Sequence, residues 1–142
     1  MTIKYSVIVP VYNGELAVEM LFQRIKAFMQ QSNYSFEVIF VYDCGKDNSW
    51  EVLKRLKNEN TEFITLVKFS RNFGQHNAII CGFEQAKGIF FITMDEDLQH
   101  SPEDIYKLIE KQKEADFDVV YGKYATREHS RFRNLGSSLL KK

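Results

Sequence analysis

Cysteine is scarce in this chain: Cys44 and Cys81 give neither a metal-ligand spacing nor a framework of bridges, so a reducing cytoplasm is the expected compartment. Charge of one sign is lacking too. The 19 basic and 19 acidic residues cancel, which removes any global field for nucleic acid or for an anionic membrane. There is no long hydrophobic run. The apolar opening from Ser6 to Val11 is too short, and too broken by Pro10, for a signal peptide or a membrane span. Membrane contact is then expected to be peripheral, or to come from sequence outside these residues. Only two prolines accompany a hydrophobic content of 44%, which excludes a disordered chain, and 142 residues suffice for one core and one domain.

What is present alternates. Tyr5 to Val11 is an apolar, β-branched run ending near Pro10, and it reads as a central strand. Val18, Leu21, Phe22, Ile25, Phe28 and Met29 then recur at threes and fours, one face of a helix. Phe36 to Val41 is a second buried strand, and Asp47, Asn48 or Ser49 can cap a helix with Trp50, Leu53 and Leu56 on its inner face. Phe63 to Phe69 is a third strand whose alternation suits a place near the sheet edge. Ala78 to Phe83, apolar all round, predicts a helix buried on every side, with Gly88 as its C-cap. Ile89 to Met94 predicts a fourth strand covered on both faces, Ile105, Leu108 and Ile109 a helix, and Asp118 to Gly122 a fifth short strand. Five strands separated by single helices predict a doubly wound, mostly parallel α/β domain.

The fourth strand delivers Asp95, Glu96 and Asp97 to its own end, just before Ser101 (an N-cap), Pro102 (a first helical residue) and Asp104 (a capping-box acid). Two carboxylates one residue apart, without a basic neighbour, repel unless they share a cation. All-oxygen ligands favour Mg²⁺ or Mn²⁺. The plainer explanation is that acids preceding a helix interact favourably with its positive end, at roughly 0.3–1 kcal/mol each. An EF-hand is excluded, because neither the third ligand nor the required glycine follows.

In an open parallel sheet, ligands bind beyond the carboxyl ends of the strands. Tyr12, Asn13 and Glu15 are expected there from the first strand, Asp43 and Asp47 from the second, Arg71 and Asn72 from the third, and Asp95 and Asp97 from the fourth. The turn Tyr12-Asn13-Gly14-Glu15 lacks the glycines of a dinucleotide fingerprint, and no P-loop exists. A nucleotide held by its base and its metal-bound phosphates remains: Tyr12 to stack on a base, Asp43 to meet a base edge, Asp95 and Asp97 to take ribose and metal.

Val9-Pro10-Val11-Tyr12-Asn13, Tyr42-Asp43 through Asp47-Asn48-Ser49, Asn72-Phe73-Gly74, Met94-Asp95-Glu96-Asp97-Leu98-Gln99 and Pro102-Glu103 stand in the order of the motifs of family 2 glycosyltransferases of the GT-A fold, and the chain resembles that family over residues 3 to about 136. Through Arg71-Asn72-Phe73-Gly74 and Asp97-Leu98-Gln99 it is similar to the dolichyl- and undecaprenyl-phosphate sugar synthases. The resemblance implies an inverting, metal-dependent transfer from a nucleotide-diphosphate sugar, with polyprenyl phosphate or a growing cell-envelope glycan as acceptor. It places Pro10, Val11, Tyr12, Asn13, Glu15, Asp43, Arg71, Asp95 and Glu96 around the nucleotide, and Asp95 and Asp97 at the metal and the chemistry. Tyr42-Asp43-Cys44-Gly45 departs from the paired aspartates and Gly-Ser often found in the family, so Asp43 alone carries that role.

Residues 1–123 read as the core, and 124–142 as a basic tail carrying Arg127, Arg131 and Arg133, leading towards an acceptor half that the chain lacks. An ionised phosphate acceptor needs no general base, and arginines suit it, although an exposed basic tail explains them as well. His76 and His100 flank the site as single histidines, which read more simply as packing or surface residues. Two other functions fit the residues: a donor-binding module without turnover, and a receiver-like domain whose acids accept a phosphoryl group. A sheet missing its closing strands also predicts a homodimer through the open edge. The expected location is the cytoplasm, at the inner face of the membrane.

Overall fold

The structure is a computed structural model that describes residues 2–122. Four strands, β1 (Tyr5–Val11), β2 (Phe36–Tyr42), β3 (Ile64–Lys68) and β4 (Phe90–Thr93), alternate with helices α1 (Val18–Gln31), α2 (Ser49–Glu59) and α3 (Gln75–Gln85). A short 3₁₀ turn (Pro102–Asp104) and helix α4 (Ile105–Ala115) follow. All strand pairs are parallel, in the order β3-β2-β1-β4. The chain steps outward from β1 to β3, then returns to lay β4 on the other side of β1. This reversal opens a crevice at the carboxyl ends of β1 and β4.

Every residue of β1 and β2 is buried, as their β-branched and aromatic composition predicts for strands covered on both faces. Their register runs from Tyr5 opposite Phe36 to Val11 opposite Tyr42. Ile8, Ile39 and Val41 face α3 and pack with Ala78, joined by Val67, Phe69 and Cys81. On the other face Phe40 meets Phe22 of α1 edge-on, with ring centres 6.4 Å apart. At the amino ends, the Ser6 hydroxyl donates to Glu37 within the sheet. Lys87 N–H donates to the same carboxylate, and Gly88 N–H donates to Ser6 Oγ. These bonds fix where the chain enters β4.

The helix predicted to be buried on every side is buried on one. Only Ala78 and Gly82 of α3 are buried, whereas Ile80 is 58% and Phe83 38% exposed. The reason is close approach: a Cβ on Gly82 would lie 2.3 Å from Ile8 Cγ2, so the small residues face the sheet and the large ones face outward. Ala86, not Gly88, ends the helix. Gly88 is needed because a Cβ there would sit 2.7 Å from Ser6 N. Likewise, among the described residues β4 is not covered on both faces. Among the described residues it pairs only with β1, and Phe91 is 50% exposed. β3 occupies the opposite edge, as its alternation predicts.

Pro102 begins the 3₁₀ turn as expected, but Ser101 makes no side-chain cap, since its hydroxyl is turned to Glu103. Residues 118–122 form no strand. The described residues divide into two compact units, one ending at Tyr106 and the other starting at Lys107. The first holds the sheet and every residue expected around the nucleotide and the metal. In the second, α4 carries Lys111–Glu114 and Lys113–Glu110 pairs on its surface, and Phe117 N–H donates to Gln112 O. The basic tail with Arg127, Arg131 and Arg133 lies outside the described residues.

Candidate functional site

The turns after β1 and β2 are locked to each other, next to Tyr12 and Asp43 of the site. Gly14 N–H donates to Ser49 Oγ at 2.8 Å, and Glu15 N–H to Asp47 Oδ2 at 2.9 Å. Lys46 N–H donates to Asn13 Oδ1, and Asn48 donates through both its backbone and side-chain N–H groups to the Glu15 carboxylate. Gly45 approaches so closely that a Cβ there would lie 1.3 Å from the Tyr12 carbonyl oxygen. Asn13 and Glu15, expected beside the nucleotide, thus spend their side chains on this lock. So does Asp47. Burial pushes its carboxyl up, but hydrogen bonds from the Ser49 hydroxyl and from the Glu15 and Ser49 amides outweigh that and leave it below the usual carboxylate range.

Above the lock lies a cleft of about 360 Å³, lined from β1 by Pro10, Val11 and Tyr12, from β2 by Asp43, from the loop before α3 by Asn72, Gly74 and Gln75, and from the end of β4 by Asp95, Glu96 and Asp97. Seven of the residues expected around the nucleotide and the metal therefore meet in one place. Asp43 is only 3% exposed, yet both its oxygens are used: Phe73 N–H donates to Oδ1 at 2.6 Å and Gly74 N–H to Oδ2 at 2.8 Å. It thereby fixes the start of α3, where Gly74 adopts φ 88°, a left-handed conformation suited to glycine. Arg71 is placed outside the cleft lining, with its guanidinium 4.9 Å from the centre of the Phe73 ring.

The three consecutive acids have three environments. Asp95 accepts a hydrogen bond from Gln75 Nε2 at 2.6 Å. Glu96 reaches back across the first turn, accepting from Tyr12 N–H, and its Cγ would meet a Cβ on Gly14 at 2.9 Å. Asp97 is exposed and, among the described residues, accepts only its local Gln99 N–H. Behind them, Arg24 of α1 clasps Glu103 through Nε and Nη2 and also donates to Ser101. The Arg24 guanidinium, with help from the Ser101 hydroxyl, brings the Glu103 carboxyl down to about 2. Gln75 and the Arg24–Glu103 clasp escape the motif reading. Gln75 directly follows Asn72-Phe73-Gly74, a position where a long polar side chain is the available signal; Arg24 offers none beyond lying on the polar face of α1.

The cleft can therefore receive a flat ring against Tyr12, which is 37% exposed, and an anion-bound cation at Asp95 and Asp97. Among the described residues no group of three or more His, Cys, Asp or Glu side chains is arranged to enclose a metal. Two carboxylates with spare lone pairs at an open mouth nevertheless fit Mg²⁺ or Mn²⁺, which are commonly bound by one or two carboxylates together with substrate phosphates. No helix among the described residues is long and apolar enough to cross a membrane.

Comparison with known proteins agrees with this geometry. The sequence pattern of Glycosyl transferase family 2 matches residues 6–140. The undecaprenyl-phosphate 4-deoxy-4-formamido-L-arabinose transferase of Photorhabdus laumondii is 38% identical over 137 residues, 96% of this chain and 42% of that protein. The chain thus spans about two fifths of the length of the curated relatives it matches. Among solved structures, the mannosyltransferase PcManGT from Pyrobaculum calidifontis in complex with GDP-Man and Mn²⁺ superposes with a TM-score of 0.60 at 23% identity, over 66% of this chain and 27% of that one. S. aureus TarS 1–349 in complex with UDP-GlcNAc superposes with a TM-score of 0.64 at 25% identity, over 88% and 37%. With the parallel sheet, its switch point and the acid-lined cleft in place, the fold is GT-A and the chain belongs to glycosyltransferase family 2.

Proposed function

We propose that the chain is the donor-binding part of an inverting, metal-dependent glycosyltransferase that moves a sugar from a nucleotide diphosphate to a polyprenyl phosphate. The observation that carries this reading is the convergence of Tyr12, Asp43, Asp95 and Asp97 on one cleft at the switch point of the sheet. The name of the Photorhabdus relative supports the lipid-phosphate acceptor, and the GDP-Man, Mn²⁺ and UDP-GlcNAc of the structural neighbours support the donor and the cation.

In this reading Tyr12, Pro10 and Val11 form the wall against the base, while Asp43 holds the Phe73–Gly74 loop beside it. Asp95 would face the ribose and the cation, and Asp97 would hold Mg²⁺ or Mn²⁺ together with the diphosphate. When bound, the cation neutralises the charge that develops on the departing diphosphate. An acceptor phosphate oxygen forms its bond to the anomeric carbon as the bond from that carbon to the diphosphate oxygen breaks. The acceptor is already ionised, so no residue need remove a proton. Work at the inner face of the membrane, through peripheral contact, follows from a lipid acceptor. The unpaired outer edge of β4 among the described residues supports pairing with a second copy.

The test is calorimetric titration of nucleoside diphosphates, with and without Mn²⁺, into the wild type and Asp97→Ala. Mn²⁺-dependent binding of one nucleotide, lost in the variant, is the expected outcome. No binding of any nucleotide to the wild type would overturn the reading. Binding without transfer or hydrolysis of the matching sugar nucleotide would select a donor-binding module instead.

A further inference from the structure

We propose that Gln75 is a positioning residue, whose side-chain amide sets the orientation of the Asp95 carboxylate towards the cation and the diphosphate. The proposal rests on the nucleotide-site reading above and adds to it a residue whose own contact with the ligand is not required.

Asp95 needs such support because of where the sheet stops. The last ladder bond along this side runs from Met94 N–H to Ile8 O, so Asp95 is the first residue beyond the paired strand. It also follows an edge strand with only Ile92 buried within it. A carboxylate there is free to rotate unless a side chain holds it, and the bond that holds it comes from Gln75 Nε2, at 2.6 Å.

Gln75 is itself well anchored. Asp43 N–H donates to Val11 O at 2.7 Å, which ties Asp43 to the central strand. Both Asp43 oxygens then take the amides of Phe73 and Gly74, and Ala78 N–H donates to Gly74 O in the first turn of α3. A continuous run of fixed groups leads from the centre of the sheet, through the start of α3, to Asp95. Partners that orient metal-binding carboxylates in this way govern affinity without touching the metal.

The chemistry of the amide matters as much as its place. Gln75 donates to one oxygen of Asp95 and carries no charge, so it orients the carboxylate without neutralising it. A lysine of similar reach would form an ion pair and compete with the incoming cation for the same oxygens.

The experiment measures, for UDP and GDP, the ratio of Kd in EDTA to Kd in Mn²⁺, using the full chain and the variants Gln75→Met and Gln75→Lys. Gln75 is exposed, so both variants should fold, and far-UV circular dichroism checks it. Gln75→Met, similar in length but without a donor, should lower the Mn²⁺ enhancement by about 10–100-fold, the range expected for loss of an outer-shell partner. Gln75→Lys should lower it at least as far. An enhancement in Gln75→Met equal to that of the wild type would overturn the proposal. Weakening of equal size in EDTA and Mn²⁺ would also overturn it, since that is the pattern of a packing role. A wild type that binds neither nucleotide would overturn the site reading and this proposal with it, whereas normal wild-type binding with unchanged variants would remove the proposal alone.

Discussion

β1 and β4 are bonded neighbours in one sheet, paired from Tyr5–Phe90 to Ile8–Thr93, yet all seven residues of β1 are buried and only Ile92 of β4 is. The helices show the same contrast. α1 buries Val18, Leu21, Phe22, Ile25 and Met29, whereas α3 buries only Ala78 and Gly82. Residues of the cleft that come from β1 and β2 are therefore held by packing. Those from α3 and β4 are held by side-chain hydrogen bonds: Asp43 to Phe73 and Gly74, Gln75 to Asp95, Glu96 to Tyr12. The two halves of the site should fail in different ways when they are disturbed.

The sharpest break is expected on the packed side. Phe40 is fully buried against Phe22, and Phe40→Ala should cost about 3–5 kcal/mol in urea unfolding. A cost under about 1.5 kcal/mol would mean that the inner sheet collapses around the cavity, and the contrast with the outer flank would then weaken. Next comes the junction of the two halves. Asp43→Asn is nearly isosteric, but its amide can accept from only one of the two N–H groups and turns its own N–H₂ towards the other. The expected loss is about 1–3 kcal/mol of stability. Hydrogen exchange at the Phe73 and Gly74 amides should accelerate in that variant, with the β1 amides unchanged. At Gly82, Gly82→Ala gains up to about 1 kcal/mol of helix propensity. It must also push aside Ile8 Cγ2, a branched side chain in a packed strand, and overpacking of that kind costs about 1–3 kcal/mol. A net destabilisation is expected, and a net gain would show that α3 can lift from the sheet.

The packed half was also the half legible in the sequence. β1, β2 and the apolar stripe of α1 follow from composition and periodicity, because a strand or helix face that is fully buried must be apolar along its whole length. α3 misleads that reasoning: apolarity from Ala78 to Phe83 says that the segment avoids water but not which side meets the sheet, and that is decided by the size of Gly82 against Ile8. β4 misleads it likewise, since nothing in Ile89 to Met94 says that among the described residues it has one strand neighbour and not two. That Tyr12, Asp43, Asp95 and Asp97 would meet in one cleft was legible from their place at strand ends. The work of Asn13 and Glu15 in the lock, and of Gln75 and Arg24, depends on contacts between distant turns that no local pattern encodes.

A smaller effect is expected from the Arg24–Glu103 clasp that backs the acidic loop. The Glu103 carboxyl lies at about 2 when folded, against an ordinary 4.5. Because the folded value is the lower one, the contribution to stability is complete above pH 4.5, declines as the pH falls from 4.5 towards 2, and is gone below that. The stability difference between wild type and Glu103→Gln should narrow over that window. Both partners are substantially exposed, so the difference should be modest and should shrink in high salt. A difference independent of pH would assign the clasp to packing alone.

The smallest effect is expected on the outer flank, where the contrast can be tested most directly. Phe91 and Phe83 meet at a tilt, with ring centres 5.6 Å apart, but Phe91 is half exposed and lies on a strand whose far edge is unpaired among the described residues. Phe91→Thr removes a ring as large as that of Phe40, and it keeps a β-branched residue in the strand. If the flank is open in solution, the change should stay within about 0.5 kcal/mol, as for an ordinary surface substitution. Urea unfolding at dilute concentration measures this. A cost above about 2 kcal/mol would mean that Phe91 is covered in solution, and repeating the titration at tenfold higher protein concentration would identify the cover: a midpoint that rises with concentration requires a second copy, and one that does not requires the chain's own residues.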